Sequence, residues 1–97
     1  MLENSIITDF TFFNEIKAEL GITWDDDDTD NIVRKYIRQG VGVLQDDVES
    51  QIDFNEDMLA RQLLTTYCRY ARNKSEEFFV ETNLTNIVKL EVKYGKK

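Results

Sequence analysis

The sequence contains no histidine, no proline and only one cysteine. Without histidine there is no His-ligated zinc site, no Ser–His or Cys–His nucleophile pair and no imidazole acid–base catalysis. Carboxylate-only chemistry is what remains open. Cys68 has no second cysteine to pair with, so an internal disulfide is excluded and a reducing compartment is expected. No apolar run approaches the roughly 20 residues that cross a bilayer. The first ten residues, MLENSIITDF, lack the basic head and apolar stretch of a secretory signal. The sequons at Asn73 and Asn83 therefore carry little meaning.

What is present reads as one globular domain over residues 1–97, with enough aliphatic and aromatic side chains for a core. A chain of this size buries a modest fraction of its surface, so a thin core or help from neighbouring subunits is expected. The net charge of −7 is unevenly spread. Residues 1–58 carry fifteen acids against four bases, and residues 59–97 carry four acids against eight bases, giving balances of −11 and +4. Complementary faces, within one copy or between copies, are one reading of that asymmetry. A solvated surface with no further role is the other.

The hydrophobic periodicity predicts an all-α fold, a small bundle of about four helices with a long connector between the second and third. The first helix covers 11–20, with Thr11 as cap, Phe12, Phe13, Ile16 and Leu20 on one face, and Gly21 then Ile22 closing it. The second runs from about 30 to 44 on Ile32, Val33, Tyr36, Ile37, Val41 and Leu44, with Arg34, Lys35 and Arg38 turned away. Gly40 and Gly42 inside it each cost about 1 kcal/mol relative to alanine, which suggests close approach by another backbone. The connector, 45–54, reads as polar with two apolar anchors, Ile52 and Phe54. The third helix, 58–73, opens after a capping-box spacing of Asp53 with Glu56, with Asn55 an equally good cap. Leu59, Leu63, Tyr67 and Tyr70 form one stripe, and Ala60, Leu64, Cys68 and Ala71 a second beside it. Such width implies burial on more than one side. A fourth helix starts after Ser75 with Phe78, Phe79, Leu84, Ile87 and Val88. Residues 88–94 alternate like a strand yet also fit a continuing helical face.

Two stretches invite a functional reading. GITWDDDDTD, residues 21–30, gathers five carboxylates beside the only tryptophan. As an EF-hand loop starting at Asp26 it fails, because Asn31 stands where glycine is needed and Ile37 where glutamate is needed. As a helix start, with Asp28 or Thr29 as N-cap, it holds more acid than local stability uses. The second stretch, residues 67–74, interleaves Tyr67 and Tyr70 with Arg69, Arg72 and Lys74. It could serve nucleic acid, but the tyrosines fall on the core stripe and the chain as a whole is acidic. Cys68, in mid-helix, reads as a small core residue.

Taken in order, Ile22-Thr23-Trp24, the acids ending in Thr29-Asp30, Ile37, Gly40, Asp53-Phe54, Leu63-Leu64, the run YCRYARN at 67–73, Glu77-Phe78, Asn83, Ile87, Leu90 and Tyr94 form a distinctive pattern. It resembles the head–tail connector family of long-tailed bacteriophages, the small helical adaptor or head-completion proteins that assemble below the portal. The resemblance spans 10–94. It implies a helical protomer of a ring, usually twelve-fold in the virion, lying between the portal and the next tail-side connector or stopper protein. Genomic DNA would pass through its channel without sequence-specific binding. It also implies that residues 75–94 are helical, a virion-neck location after assembly in the host cytoplasm, and no membrane, cofactor, metal or catalytic role. On this reading Asp25, Asp26, Asp27, Asp28, Arg69, Arg72 and Lys74 are candidate inter-subunit or portal contacts. Trp24, Phe54, Tyr67, Tyr70 and Phe78 are candidate structural anchors. A different class, an acidic regulatory or DNA-mimic protein binding a basic partner, fits the acidic first half equally well.

Overall fold

The computed structural model describes residues 10–96, with side chains from Phe13 onward. The expected cap Thr11 and the apolar Phe12 thus lie outside the described side chains. In chain order the elements are α1 (Phe10–Glu19), α2 (Asp27–Asp46), α3 (Met58–Arg72), a 3-10 turn (Glu76–Phe78), α4 (Phe79–Thr82) and α5 (Leu84–Tyr94). The fold is all-α. Among the described residues the only β pairing is an isolated antiparallel bridge between Val48 and Lys96.

Phe13, Ile16 and Leu20 of α1 are buried, as their spacing requires. The helix ends in a Schellman motif: the Ile22 N–H donates to Lys17 O and the Gly21 N–H to Ala18 O, with Gly21 at φ 77°. Ile22 returns to the core. α2 begins three residues earlier than the periodicity suggested. Val33, Ile37, Gly40, Val41 and Leu44 form its inner face, while Ile32, expected there, is 49% exposed. Lys35 and Arg38 face outward, but Arg34 is half-buried, its guanidinium lying 4.8 Å from the centre of the Phe13 ring.

The two helix glycines differ. A Cβ on Gly40 would sit 2.6 Å from Leu64 Cδ1 and 2.9 Å from Tyr67 Cδ1, so this residue lets α2 press onto α3. Gly42 faces open space with nothing within 4 Å, and close packing does not explain it.

After α2 the connector is stapled by one side chain. Gln45 Nε2 donates to Ser50 O, and Gln45 Oε1 accepts from the Ile52 N–H, both at 2.9 Å. Val48, Ile52 and Phe54 are thereby carried into the core. α3 is capped by Asp57, whose Oδ1 accepts from the Ala60 N–H; Asp53 instead closes a local turn onto the Asn55 and Glu56 N–H groups.

α3 is the hub, packing against α1, α2, the 3-10 turn, α4 and α5, so both of its apolar stripes find neighbours. It also ends in a Schellman motif, with Ser75 N–H to Tyr70 O and Lys74 N–H to Ala71 O. Lys74 occupies the left-handed position at φ 56°, where a side chain is strained.

The expected fourth helix is three pieces. Asn83 breaks it, its Nδ2 donating to Phe79 O. Residues 84–94 are helical, with Ile87, Leu90 and Glu91 turned inward. The alternating pattern of 88–94 gave way because α3 offers a helical groove rather than a strand edge. The tail is tied back to the connector by Glu49 N–H to Gly95 O and Ser50 N–H to Tyr94 O. Apolar residues from all these segments join in one buried cluster.

Replacing Gly40 with alanine should destabilise the protein by about 1–2 kcal/mol, overpacking outweighing the gain in helix propensity. Gly42→Ala should stabilise it by about 0.5–1 kcal/mol. Urea unfolding followed by circular dichroism distinguishes the two; equal effects would refute the assignment of close packing to Gly40.

Candidate functional site

The acidic run is divided among several tasks. Asp26, rather than Asp28 or Thr29, caps α2, accepting from the Thr29 N–H at 3.2 Å and the Thr29 hydroxyl at 2.9 Å. Lys17 of α1 reaches the run from below, its ammonium 2.9 Å from Asp25 Oδ1 and 2.8 Å from Asp30 Oδ1. With its side chain only 5% exposed, Lys17 is a buried cation held by two carboxylates. The Asp30 contact is an ion pair off the hydrogen-bonding direction. The close carboxylates of Asp30 and Asp25 outweigh burial and keep the Lys17 pKa above its ordinary value of 10.5. Asp27 and Asp28, both exposed, have no ion-pair partner among the described residues.

Trp24 does not anchor this turn from inside. It is 48% exposed, with its Nε1 donating to Thr29 Oγ1 at 3.4 Å; the buried anchor is Ile22. The indole lies over the first turn of α2, and Ile32 stands almost one turn beyond Thr29 on the outer side. Together they make a small apolar patch among the aspartates.

The second stretch is also divided. Tyr67 and Tyr70 both set their rings edge-on to Phe79, at 5.2 and 5.9 Å between centroids, so both rings are engaged by the core. Arg69 pairs with Glu19 at 2.8 Å, while Arg72 and Lys74 are exposed with no ion pair among the described residues. Cys68 is fully buried, and burial pushes its thiol up to about 12, so it stays protonated and unreactive. Phe54 is fully buried, whereas Phe78 is 52% exposed and its neighbour Phe79 takes the core position at 0%.

A polar cluster at the base of α3 ties down the end of the chain. The Tyr94 hydroxyl donates to Asp57 Oδ2 at 2.6 Å, and Lys93 Nζ lies 2.9 Å from the same oxygen. Burial alone would raise the Asp57 pKa, but the bonds from Tyr94, Lys93 and the Ala60 N–H outweigh it and hold the carboxyl below its ordinary 3.8. Burial, then the bond to Asp57, raises the Tyr94 phenol. Nothing local in the sequence marks this pairing of residues 37 apart. Lys17, by contrast, was readable: it shares the face of Phe13, Ile16 and Leu20 and precedes an acidic run.

The last distinctive surface is on α5. Leu84, Val88 and Val92 follow one another at intervals of four and are 53%, 44% and 79% exposed; Phe78 and Val80, earlier in the chain, are exposed as well. The buried face of α5, Ile87 and Leu90, is a separate stripe. An open groove of ≈ 620 Å³ lies between α1, α3 and the start of α5, lined by Ala18, Leu59, Asn83 and Asn86 and by the Glu15–Arg61 and Glu19–Arg69 pairs. Its charges are mutually neutralised and no nucleophile–base pair converges there. Among the described residues no cluster suited to a metal ion forms. No protein-family model, curated protein or solved structure matches the chain.

Tyr94→Phe should lower stability by about 1 kcal/mol near neutral pH by removing one donor to Asp57. Because the folded Asp57 pKa is depressed, its contribution is complete above about pH 4 and is lost as pH falls through the lower folded value. Tyr94→Phe should therefore lose less stability than the wild type on acidification, read from urea midpoints measured between about pH 2.5 and 6. Lys74→Gly should stabilise the chain by about 0.5–1 kcal/mol by relieving the left-handed backbone; a loss of stability in the same titration would refute the strain.

Proposed function

We propose that this protein is a structural subunit of a phage or prophage neck, forming an adaptor ring between the portal and the tail-side connector or stopper. The ring extends the DNA channel and completes the head after packaging, and it carries out no catalysis. The order of residues from Ile22 to Tyr94 supports this reading. The structural observation that favours it is the surplus apolar surface of 78–92. Five large apolar side chains there stay outside the core, and exposed apolar surface of this kind marks an interaction site. A ring protomer needs contacts on two different faces, and the Trp24–Ile32 patch supplies a second exposed apolar surface. Twelve copies is the number that the resemblance to connector proteins implies.

A DNA mimic fits the acidic run less well. Such a protein presents free carboxylates in a row, whereas Asp25, Asp26 and Asp30 are engaged by their own chain. Binding of duplex DNA through Arg69, Arg72 and Lys74 is disfavoured in the same way, since Arg69 is paired and both tyrosines pack on Phe79.

Mixing the purified chain with its cognate portal should give a co-axial ring on one end of the portal, seen by negative-stain electron microscopy. A chain that stays monomeric and fails to dock on the portal overturns the assignment in favour of an acidic protein with a different, basic partner.

A further inference from the structure

The outer face of α5 presents two parallel rows of side chains. Leu84, Val88 and Val92, four residues apart, form an exposed apolar row about 12 Å long. The adjoining row is Thr85, Lys89 and Lys93, all exposed, and exposed Lys96 follows just past the helix end. On the other edge of the apolar row Ile87 and Glu91 are buried. Residues 84–96 hold three lysines against that one acid. Lys93 reaches Asp57 at 2.9 Å and Lys96 lies 4.0 Å from Glu91, while Lys89 has no ion-pair partner among the described residues.

We infer that this face of α5 docks a helix of a different protein, one with an apolar stripe and a row of carboxylates along one flank. Aliphatic side chains at intervals of four make a ridge that packs into the groove of a second helix. The lysine row then sets the sign of what lies beside the apolar contact, because acids pair with it and bases are repelled.

A helix meets α5 along a strip little wider than the two rows. A membrane or a DNA duplex is broader and would also meet the rest of a chain whose net charge of −7 repels an anionic surface. A second copy is a poorer fit as well. Its exposed α2 face bears Asp27, Asp28 and Ile32 but also Lys35 and Arg38, which would repel the lysine row. The inference deepens the adaptor reading and rests on it only for the source of the helix, the portal or the tail-side component. Phe78, Val80 and the Trp24–Ile32 patch are left for contacts between copies. Three aliphatic side chains cover far less than the roughly 800 Å² per partner of a stable complex, so a single contact is weak. A ring strengthens it by repeating it.

The probe is a stapled helical peptide of about four turns, with leucine at intervals of four and glutamate along the adjoining row. Added to the isotope-labelled full chain in low salt, it should shift the amide resonances of residues 84–93, with a Kd below about 1 mM. The same peptide with lysine in place of glutamate should bind at least about fivefold more weakly. Val88→Asp should weaken binding of the acidic peptide at least about tenfold. Lys89→Glu, a milder change at an exposed position, should weaken it about two- to fivefold and improve binding of the lysine peptide. Circular dichroism verifies that each variant folds, and Lys89→Glu carries the test should Val88→Asp not fold. An acidic peptide that binds no better than the lysine one, that shifts other residues instead, or that binds the folded variants like wild type overturns the inference. So do anionic vesicles of phosphatidylglycerol or a short DNA duplex that move the same resonances more strongly, or concentrating the chain alone to the same effect; these assign the face to a membrane, a nucleic acid or a second copy. Docking on the portal is read separately. A chain that docks but ignores the acidic peptide sinks this inference and leaves the adaptor reading standing; one that binds the peptide but fails to dock does the reverse.

Discussion

The close approach of α2 to α3 at Gly40 is the contact on which the rest of the structure depends. At that point the Leu64 and Tyr67 side chains occupy the space that any Cβ would need. With the two helices pressed together there, α3 becomes central, and its remaining apolar surface is free to receive α1 on one side and α4 and α5 on another. Phe79 completes the arrangement. It enters from the short α4, sits between Tyr67 and Tyr70, and fixes where the chain turns back into α5. A hub of this kind lets the described residues build one continuous core.

Two polar clusters then fasten the outlying segments to that core. Lys17 binds Asp25 and Asp30, fixing the acidic turn against α1, and Asp57 binds Tyr94 and Lys93, fixing the end of α5 against the start of α3. Their pH dependences are opposite. The raised Lys17 pKa gives stability that lasts up to the ordinary lysine range and is lost as pH rises through the folded value. The depressed Asp57 pKa gives stability that is lost on acidification. Both clusters are intact across the neutral range. They also hold two exposed apolar surfaces in place, since the acidic turn carries Trp24 and α5 carries Leu84, Val88 and Val92.

The carboxylates of the acidic run thus have distinct duties rather than one. One caps a helix, two hold a buried lysine, and Asp27 and Asp28 are left facing solvent. That remainder has no ion-pair partner among the described residues. The basic second half of the chain is divided in the same manner: Arg61 and Arg69 pair with α1, Lys93 pairs with Asp57, and Lys89 is left outside. The charge asymmetry visible along the sequence is partly consumed inside the monomer, and the rest faces solvent.

The sequence by itself determined the all-α class, the two apolar stripes of α3, the Schellman ending at Gly21 and Ile22, and the burial of Cys68, because each follows from spacing within a few residues. Lys17 carries a local signal too, as a lysine on an apolar face ahead of an acidic run, but its burial and its two partners were found only in the structure. Tertiary structure alone decided which of two adjacent aromatics, Phe78 or Phe79, enters the core, since periodicity locates a face only to within one residue. It also decided that Ile32 and the Leu84–Val88–Val92 stripe stay outside, because the number of apolar residues on a helix does not reveal how many neighbours it has. Helix over strand for 88–94 and the pairing of Asp57 with Tyr94 depended on where α3 lies relative to the chain end. Those are distances between segments far apart in sequence, and no local pattern encodes them.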